Sequence, residues 1–274
     1  MRYLIIVLVV SFSLSAATVD GLRIHSSTVG KDSRTVILVH GWTCDESAWT
    51  EQVPVLAKQY RVVTLDLRGL GKSDSPKDGK FSMDLFARAI EAVRDEVKAD
   101  HVVLVGHSMG TPVVLRYARL YPQHTVALVF VDGLILARQD LNSKGGAAPP
   151  PGANMGGPEG RKNRENRIRG FFTASTTPSM QTRILNMMLG APEVTAVGAL
   201  NATFDPAGYT ADIPKIPVLG IYADSSPLAT RESVLAHFPN AEYTQIPGTG
   251  HFLMIEKPDE FNALLLAFLA KQKY

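Results

Sequence analysis

Only one cysteine, Cys44, occurs among 274 residues. That excludes an internal disulfide and any metal cluster built on cysteines. An excess of either charge is also missing: 28 Lys and Arg face 26 Asp and Glu, a formal balance of +2. Nothing general in that balance attracts nucleic acid. The apolar run at the start, Leu4 to Val10 extended by Phe12 and Leu14, falls short of the roughly 20 residues a membrane span needs. No internal repeat is visible.

What is present fits a globular protein. Hydrophobic residues make up 45% and charged residues 20%, both near the average for folded domains. A chain of this length buries enough core to need no disulfide or structural metal. The first residues read as a targeting signal: Arg2, then the apolar run, then the small residues Ser15-Ala16-Ala17 at a cleavage site. The expectation is a signal peptide over residues 1–17 and an exported product, periplasmic or secreted. No stable membrane insertion is expected after cleavage.

From residue 18 on, apolar runs with no polar face recur. Thr35 to Val39 ends at His40-Gly41, Val62 to Leu65 at Asp66, and Val102 to Val105 at Gly106. Val126 to Val131 ends at Asp132, Val218 to Tyr222 ends near Asp224, and a further strand is expected over Tyr243 to Ile246. Such runs are strands buried on both faces of a parallel sheet. Between them lie apolar residues at helical spacing, among them Leu85, Phe86, Ile90, Val93 and Val97, and then Val113, Val114, Tyr117 and Leu120. The alternation predicts an α/β fold, a mostly parallel twisted sheet with helices on both faces. Ligands in such sheets bind at the carboxyl ends of the strands.

Between Asp132 and Ile216 the rhythm stops. Residues 133–213 read as a mainly helical cap inserted between two strands, dividing the core into 18–132 and 214–274. Ser143 to Gly160 is rich in Gly and Pro and reads as an irregular loop. The basic run Arg161 to Arg169 that follows reads as a solvated helix face, with contact to an anionic ligand as the alternative.

Gly106-His107-Ser108-Met109-Gly110 sits between a buried strand and a helix, the setting in which a G-x-S-x-G turn exposes a nucleophilic serine. The small residues allow the tight turn, and the helix N-terminus favours developing negative charge there. Ser108 needs a base. Of seven histidines, His251 is the candidate, because it lies in the glycine-rich loop Pro247 to Phe252 before the last helix. His25, His101, His124 and His237 read as surface residues, and His40 and His107 as supports for the loops beside them.

On His40-Gly41-Trp42, Asp66-Leu67-Arg68-Gly69, Gly106 to Gly110 and Gly250-His251-Phe252, the chain from about residue 20 onward resembles the α/β-hydrolase superfamily. Within it, the chain resembles the lipase, esterase and cofactor-free haloperoxidase branch. One departure is Leu70, where the family often has histidine. The resemblance implies Ser108 as nucleophile, His251 as base, and the backbone N–H groups of Trp42 and Met109 as an oxyanion hole, with no cofactor and no metal. It places the acid after the Val218 to Tyr222 strand in a Gly-x-x-Asp spacing, which here falls on Ser226. Asp224, 27 residues before His251, is the nearby carboxylate and the preferred acid. Asp132, 24 residues after Ser108, is the alternative.

Asp66 reads as a structural turn residue beside Arg68, and Cys44 as a small buried hydrophobe. Trp42 reads equally as a wall of the acyl pocket or as packing. The implied activity is cleavage of small-molecule carboxylic esters through an acyl-serine. Two other readings stand beside it: peracid formation by the same residues, and a non-hydrolytic ligand-binding module. The missing acid at its usual spacing supports the last. Dehalogenation and epoxide hydrolysis are disfavoured, because the branches that perform them use aspartate where Ser108 stands.

Overall fold

A strand that is apolar at every position has no face to give to water, so its sheet must be covered on both sides. The computed structural model, which describes residues 17–135, 151–209, 213–224 and 226–272, is built around that requirement. Nine strands run in chain order: β1 (Thr18–Val19), β2 (Leu22–Arg23), β3 (Ser26–Val29), β4 (Thr35–Val39), β5 (Arg61–Leu65), β6 (Val102–His107), β7 (Thr125–Val131), β8 (Val218–Ala223) and β9 (Glu242–Ile246). The first two form a hairpin. The other seven form one sheet in the order β3-β5-β4-β6-β7-β8-β9, parallel throughout except that β3 runs antiparallel to β5.

β4, β6 and β8 are buried at every residue, whereas β3 is partly exposed along its length. That edge strand reads Ser-Ser-Thr-Val, too short and too polar to stand out in the sequence.

Helices follow the strands: α1 (Val53–Leu56), α2 (Met83–Glu96) and α3 (Gly110–Leu120), then α4 (Gly160–Arg169), α5 (Pro178–Leu189) and α6 (Glu193–Thr203), then α7 (Arg231–His237), α8 (Leu253–Glu256) and α9 (Pro258–Lys271). The spacing of Phe86, Ile90 and Val93 does put an apolar stripe on α2, and all three are fully buried. Among the described residues no helix is long and apolar enough to cross a membrane. The segment expected to be a signal peptide, residues 1–17, lies outside the described residues except for Ala17.

Helices α4, α5 and α6 fill the interval between β7 and β8, and no strand among the described residues interrupts them. The Gly- and Pro-rich stretch is described only from 151 onward, where turns and a short 3-10 helix, Ala153–Met155, lead into α4.

Candidate active site

Val105 and Gly106 carry β6 into a turn that has almost no room. A Cβ on Gly106 would stand 2.4 Å from the carbonyl oxygen of Gly110, and one on Gly110 would stand 2.5 Å from that of Val39. With both positions stripped to hydrogen, Ser108 is forced to φ +53°, a left-handed conformation that costs a non-glycine residue about 1 kcal/mol or more. Its amide donates to the Val131 carbonyl at 2.9 Å, which pins the turn to β7.

The half-buried Ser108 hydroxyl meets one imidazole. Ser108 Oγ lies 2.9 Å from His251 Nε2, and His251 Nδ1 lies 2.6 Å from Asp132 Oδ2. The carboxylate holds the proton on Nδ1, so the Nε2 lone pair faces the serine hydroxyl. Asp132 is 2% exposed. Burial works against its charge, but the His251 hydrogen bond and charge, the Ser226 hydroxyl and the Ala223 amide outweigh it and hold the carboxyl below its ordinary range.

This geometry corrects the choice of acid. The carboxylate bound to His251 is that of Asp132, not Asp224. β7 lies between β6 and β8, so the residue leaving β7 stands directly beside the serine turn, while Asp224 leaves the next strand out and is exposed. A positive φ of 41° at Asp132 swings its side chain to the imidazole. Ser226, where the usual spacing would put the acid, hydrogen-bonds to Asp132 instead. The missing carboxylate that favoured a non-hydrolytic module is therefore supplied from the neighbouring strand.

The loop after β4 closes the other side. A Cβ on Gly41 would come within 2.9 Å of the Ser108 Cβ, so the backbone leading to Trp42 passes against the serine. The amides of Trp42 and Met109, at the two edges of this contact, have no acceptor among the described residues. His40 supports the loop: its Nδ1 donates to the Gly41 carbonyl at 2.9 Å and its Nε2 accepts from the Leu67 amide at 3.0 Å. His107 supports the other side, donating from Nε2 to the His251 carbonyl at 2.8 Å while Nδ1 finds no partner. Burial, with the neighbouring His251, pushes its pKa down to about 3.

Three contributions were not visible as such in the sequence. Phe171 lies with its ring centroid 4.4 Å from that of His251. The Glu256 carboxylate accepts from the Gly250 amide at 2.5 Å, from Thr176 Oγ1 at 2.6 Å and from Ser175 Oγ at 2.9 Å, linking the histidine loop to the segment after α4. The Trp42 indole N–H donates to the Ala196 carbonyl on α6 at 2.7 Å, so this side chain is buried as packing between loop and insertion.

The remaining candidates are structural. Asp66 accepts the Glu46 and Lys72 amides at 2.7 and 2.8 Å, while Arg68 turns away from it to Asp20 at 3.4 Å. His25, Glu46 and Asp66 cluster closely enough to suggest metal ligands. Lys72 Nζ already sits 2.9 Å from Glu46, however, and fills the place a cation would take. Cys44 is buried, and burial pushes its thiol far above the ordinary range, which leaves it inert.

Comparison with known proteins agrees with the fold. The chain is 30% identical to a putative non-heme chloroperoxidase from Synechocystis sp., covering 93% of this chain and 96% of that one. It is 29% identical to a 2-hydroxy-6-oxononadienedioate/2-hydroxy-6-oxononatrienedioate hydrolase from Paraburkholderia phymatum, covering 91% and 92%. A thermophilic esterase from Thermogutta terrifontis superposes with a TM-score of 0.80 at 23% identity, over 93% of this chain and 96% of that one, a likeness of fold. The family model matches residues 36–264, and the chain belongs to the Alpha/beta hydrolase family.

Proposed function

We propose that this protein is a serine hydrolase that cleaves small carboxylic esters through an acyl-serine intermediate. The observation that carries the reading is the unbroken hydrogen-bond chain from Ser108 through His251 to Asp132. Ser108 Oγ attacks the ester carbonyl as His251 Nε2 takes its proton. Asp132 steadies the imidazolium that forms and keeps its tautomer fixed. The Trp42 and Met109 amides receive the oxyanion, each worth about 3 kcal/mol. His251 then gives its proton to the leaving alcohol; it next takes one from water as the resulting hydroxide attacks the acyl-serine, and it passes that proton to Ser108 Oγ as the acid leaves. Helices α4, α5 and α6, inserted between β7 and β8, act as the cap that shapes the acyl pocket.

Purified protein should hydrolyse p-nitrophenyl acetate, butyrate or octanoate, and Ser108→Ala should abolish the reaction. Wild-type rates no higher than Ser108→Ala on all three would end the ester reading. A second reading draws on the chloroperoxidase relative: hydrogen peroxide replaces water at the acyl-serine and leaves as a peracid that oxidises halide. Halide oxidation that requires both a carboxylate and peroxide, and is lost in Ser108→Ala, would support it. Export rests on the signal sequence, and an N-terminus beginning at Thr18 in the mature protein is the result it predicts.

A further inference from the structure

Three rings from different parts of the chain stand against the His251 imidazole. His107, at the end of β6, lies 4.7 Å away between centroids, and Phe252, the next residue of the same loop, lies 5.5 Å away. The third, Phe171, belongs to the insertion just beyond the end of α4, and lies at 4.4 Å with a tilt of 34°. Backbone as well as ring holds it there. The Phe171 carbonyl accepts the His251 amide at 3.4 Å, and a Cβ on Gly250 would stand 2.6 Å from that same oxygen. Glycine at 250 is what lets the insertion come this close. Glu256 secures the approach, accepting from the Gly250 amide and from the Ser175 and Thr176 hydroxyls of the same segment.

The place Phe171 occupies matters chemically. A cleft of about 230 Å³, large enough to admit water, runs up to the Asp132–His251 pair. Phe171, Thr173, Ser226 and Leu228 are among its walls, and among the described residues Ser108 is not. The cleft therefore leads to the hydrogen bond on Nδ1, away from the Nε2 that faces the serine. Water competing for that bond weakens it, whereas an apolar ring beside it lowers the local dielectric and strengthens it. The ring has a second effect that exists only during reaction. His251 becomes cationic when it takes the Ser108 proton, and the negative face of an aromatic ring attracts the cation alone. An interaction that appears only with the transition-state charge raises kcat and leaves ground-state binding as it was.

We infer that Phe171 is a positioning residue for the base: laid against the imidazole by the insertion, its ring shields the His251–Asp132 bond and steadies the imidazolium. This rests on the hydrolase reading above. It adds that the cap, besides shaping the acyl pocket, acts on the chemical step through His251.

Phe171→Leu keeps the apolar bulk and removes the aromatic face. Its kcat should fall about tenfold, equally on p-nitrophenyl acetate, butyrate and octanoate, while KM stays within about twofold. Phe171→Tyr keeps the ring and should remain within about threefold of wild type. A mere wall of the acyl pocket would behave differently, with a loss in KM that grows with chain length. That pattern overturns the inference and leaves the hydrolase reading standing, as does an unchanged kcat in Phe171→Leu or a Phe171→Tyr no better than Phe171→Leu. The proton on His251 Nδ1 gives a second readout that needs no turnover. By NMR it should resonate far downfield in the wild type and exchange with water several times faster in Phe171→Leu. A resonance absent from the wild type, or exchanging equally fast in both proteins, overturns the inference. If wild type matches Ser108→Ala on every ester, the hydrolase reading fails instead, and this proton then decides the shielding by Phe171 separately. Should Phe171→Leu fail to fold, Phe171→Met takes its place in both measurements.

Discussion

The two walls of the candidate site are held by different means. On the sheet side, backbone fixes everything: Ser108 is trapped by Gly106, Gly110 and the Val131 carbonyl, and Asp132 is set by its place at the end of β7. On the insertion side, side chains carry the load. Arg164 ties α4 to Met155 and Glu193, Trp42 reaches Ala196, and Arg183 on α5 crosses to Glu51 and the Ser47 carbonyl at 2.9 and 2.8 Å. Backbone constraints survive most substitutions, and side-chain links do not. On the proposed reading, the arrangement keeps Ser108, His251 and Asp132 rigid while the side-chain links of the insertion stay open to change.

The comparison is tested most severely at the acid. Asp132→Asn should lower kcat by about 10⁴-fold, because the amide no longer holds the imidazole in the productive tautomer. Asp224→Asn should stay within about twofold, since its side chain is exposed and forms no bond to His251. Steady-state kinetics on p-nitrophenyl butyrate reads both. Adding Ser226→Asp to Asp132→Asn should recover part of the loss, because Ser226 already reaches the Asp132 carboxylate from the neighbouring loop. Equal losses at 132 and 224 would show that strand order does not select the acid.

That pair also marks how far the sequence could be read. The central strands were legible because runs such as Val102 to Val105 have no polar face, and Ser108 because a strand-to-helix turn this tight demands glycine at 106 and 110. His251 followed from its loop. The acid did not, since Asp132 and Asp224 both end strands and only the order β6-β7-β8 decides which one stands beside the serine turn. Edge strand β3 was hidden by its polar residues.

His107 tests the sheet side through pH. Its pKa is about 3 in the folded protein against about 6.5 in an unfolded chain. As pH falls below 6.5, the unfolded chain takes up a proton that the folded one refuses. Stability is therefore intact above pH 6.5 and lost on the way down toward 3. By pH 5 the loss from this residue is about 2 kcal/mol. His40, whose pKa burial also lowers, acts in the same direction. Urea unfolding across pH 7 to 5 should show the decline, and His107→Gln should flatten it. An NMR titration of the wild type checks the cause without a variant. A His107 ring that protonates above pH 5 would refute the argument.

The smallest expected effect belongs to the insertion side. Thr176→Val keeps the shape of the side chain but removes the hydroxyl that Glu256 accepts at 2.6 Å. The carboxylate keeps Gly250 and Ser175, so the loss is that of one charge-assisted bond, about 1–2 kcal/mol. Because the bond joins the insertion to the histidine loop, the change should appear locally first. Hydrogen exchange should quicken at the amides of Phe171 and His251, the latter of which donates to the Phe171 carbonyl at 3.4 Å. Exchange in the core of β6 should not move. Its strand is paired on both sides by β4 and β7 and opens only with the whole fold. Faster exchange in β6 at the same time would mean that the two walls unfold as one unit, and the division between backbone-held and side-chain-held halves would be lost.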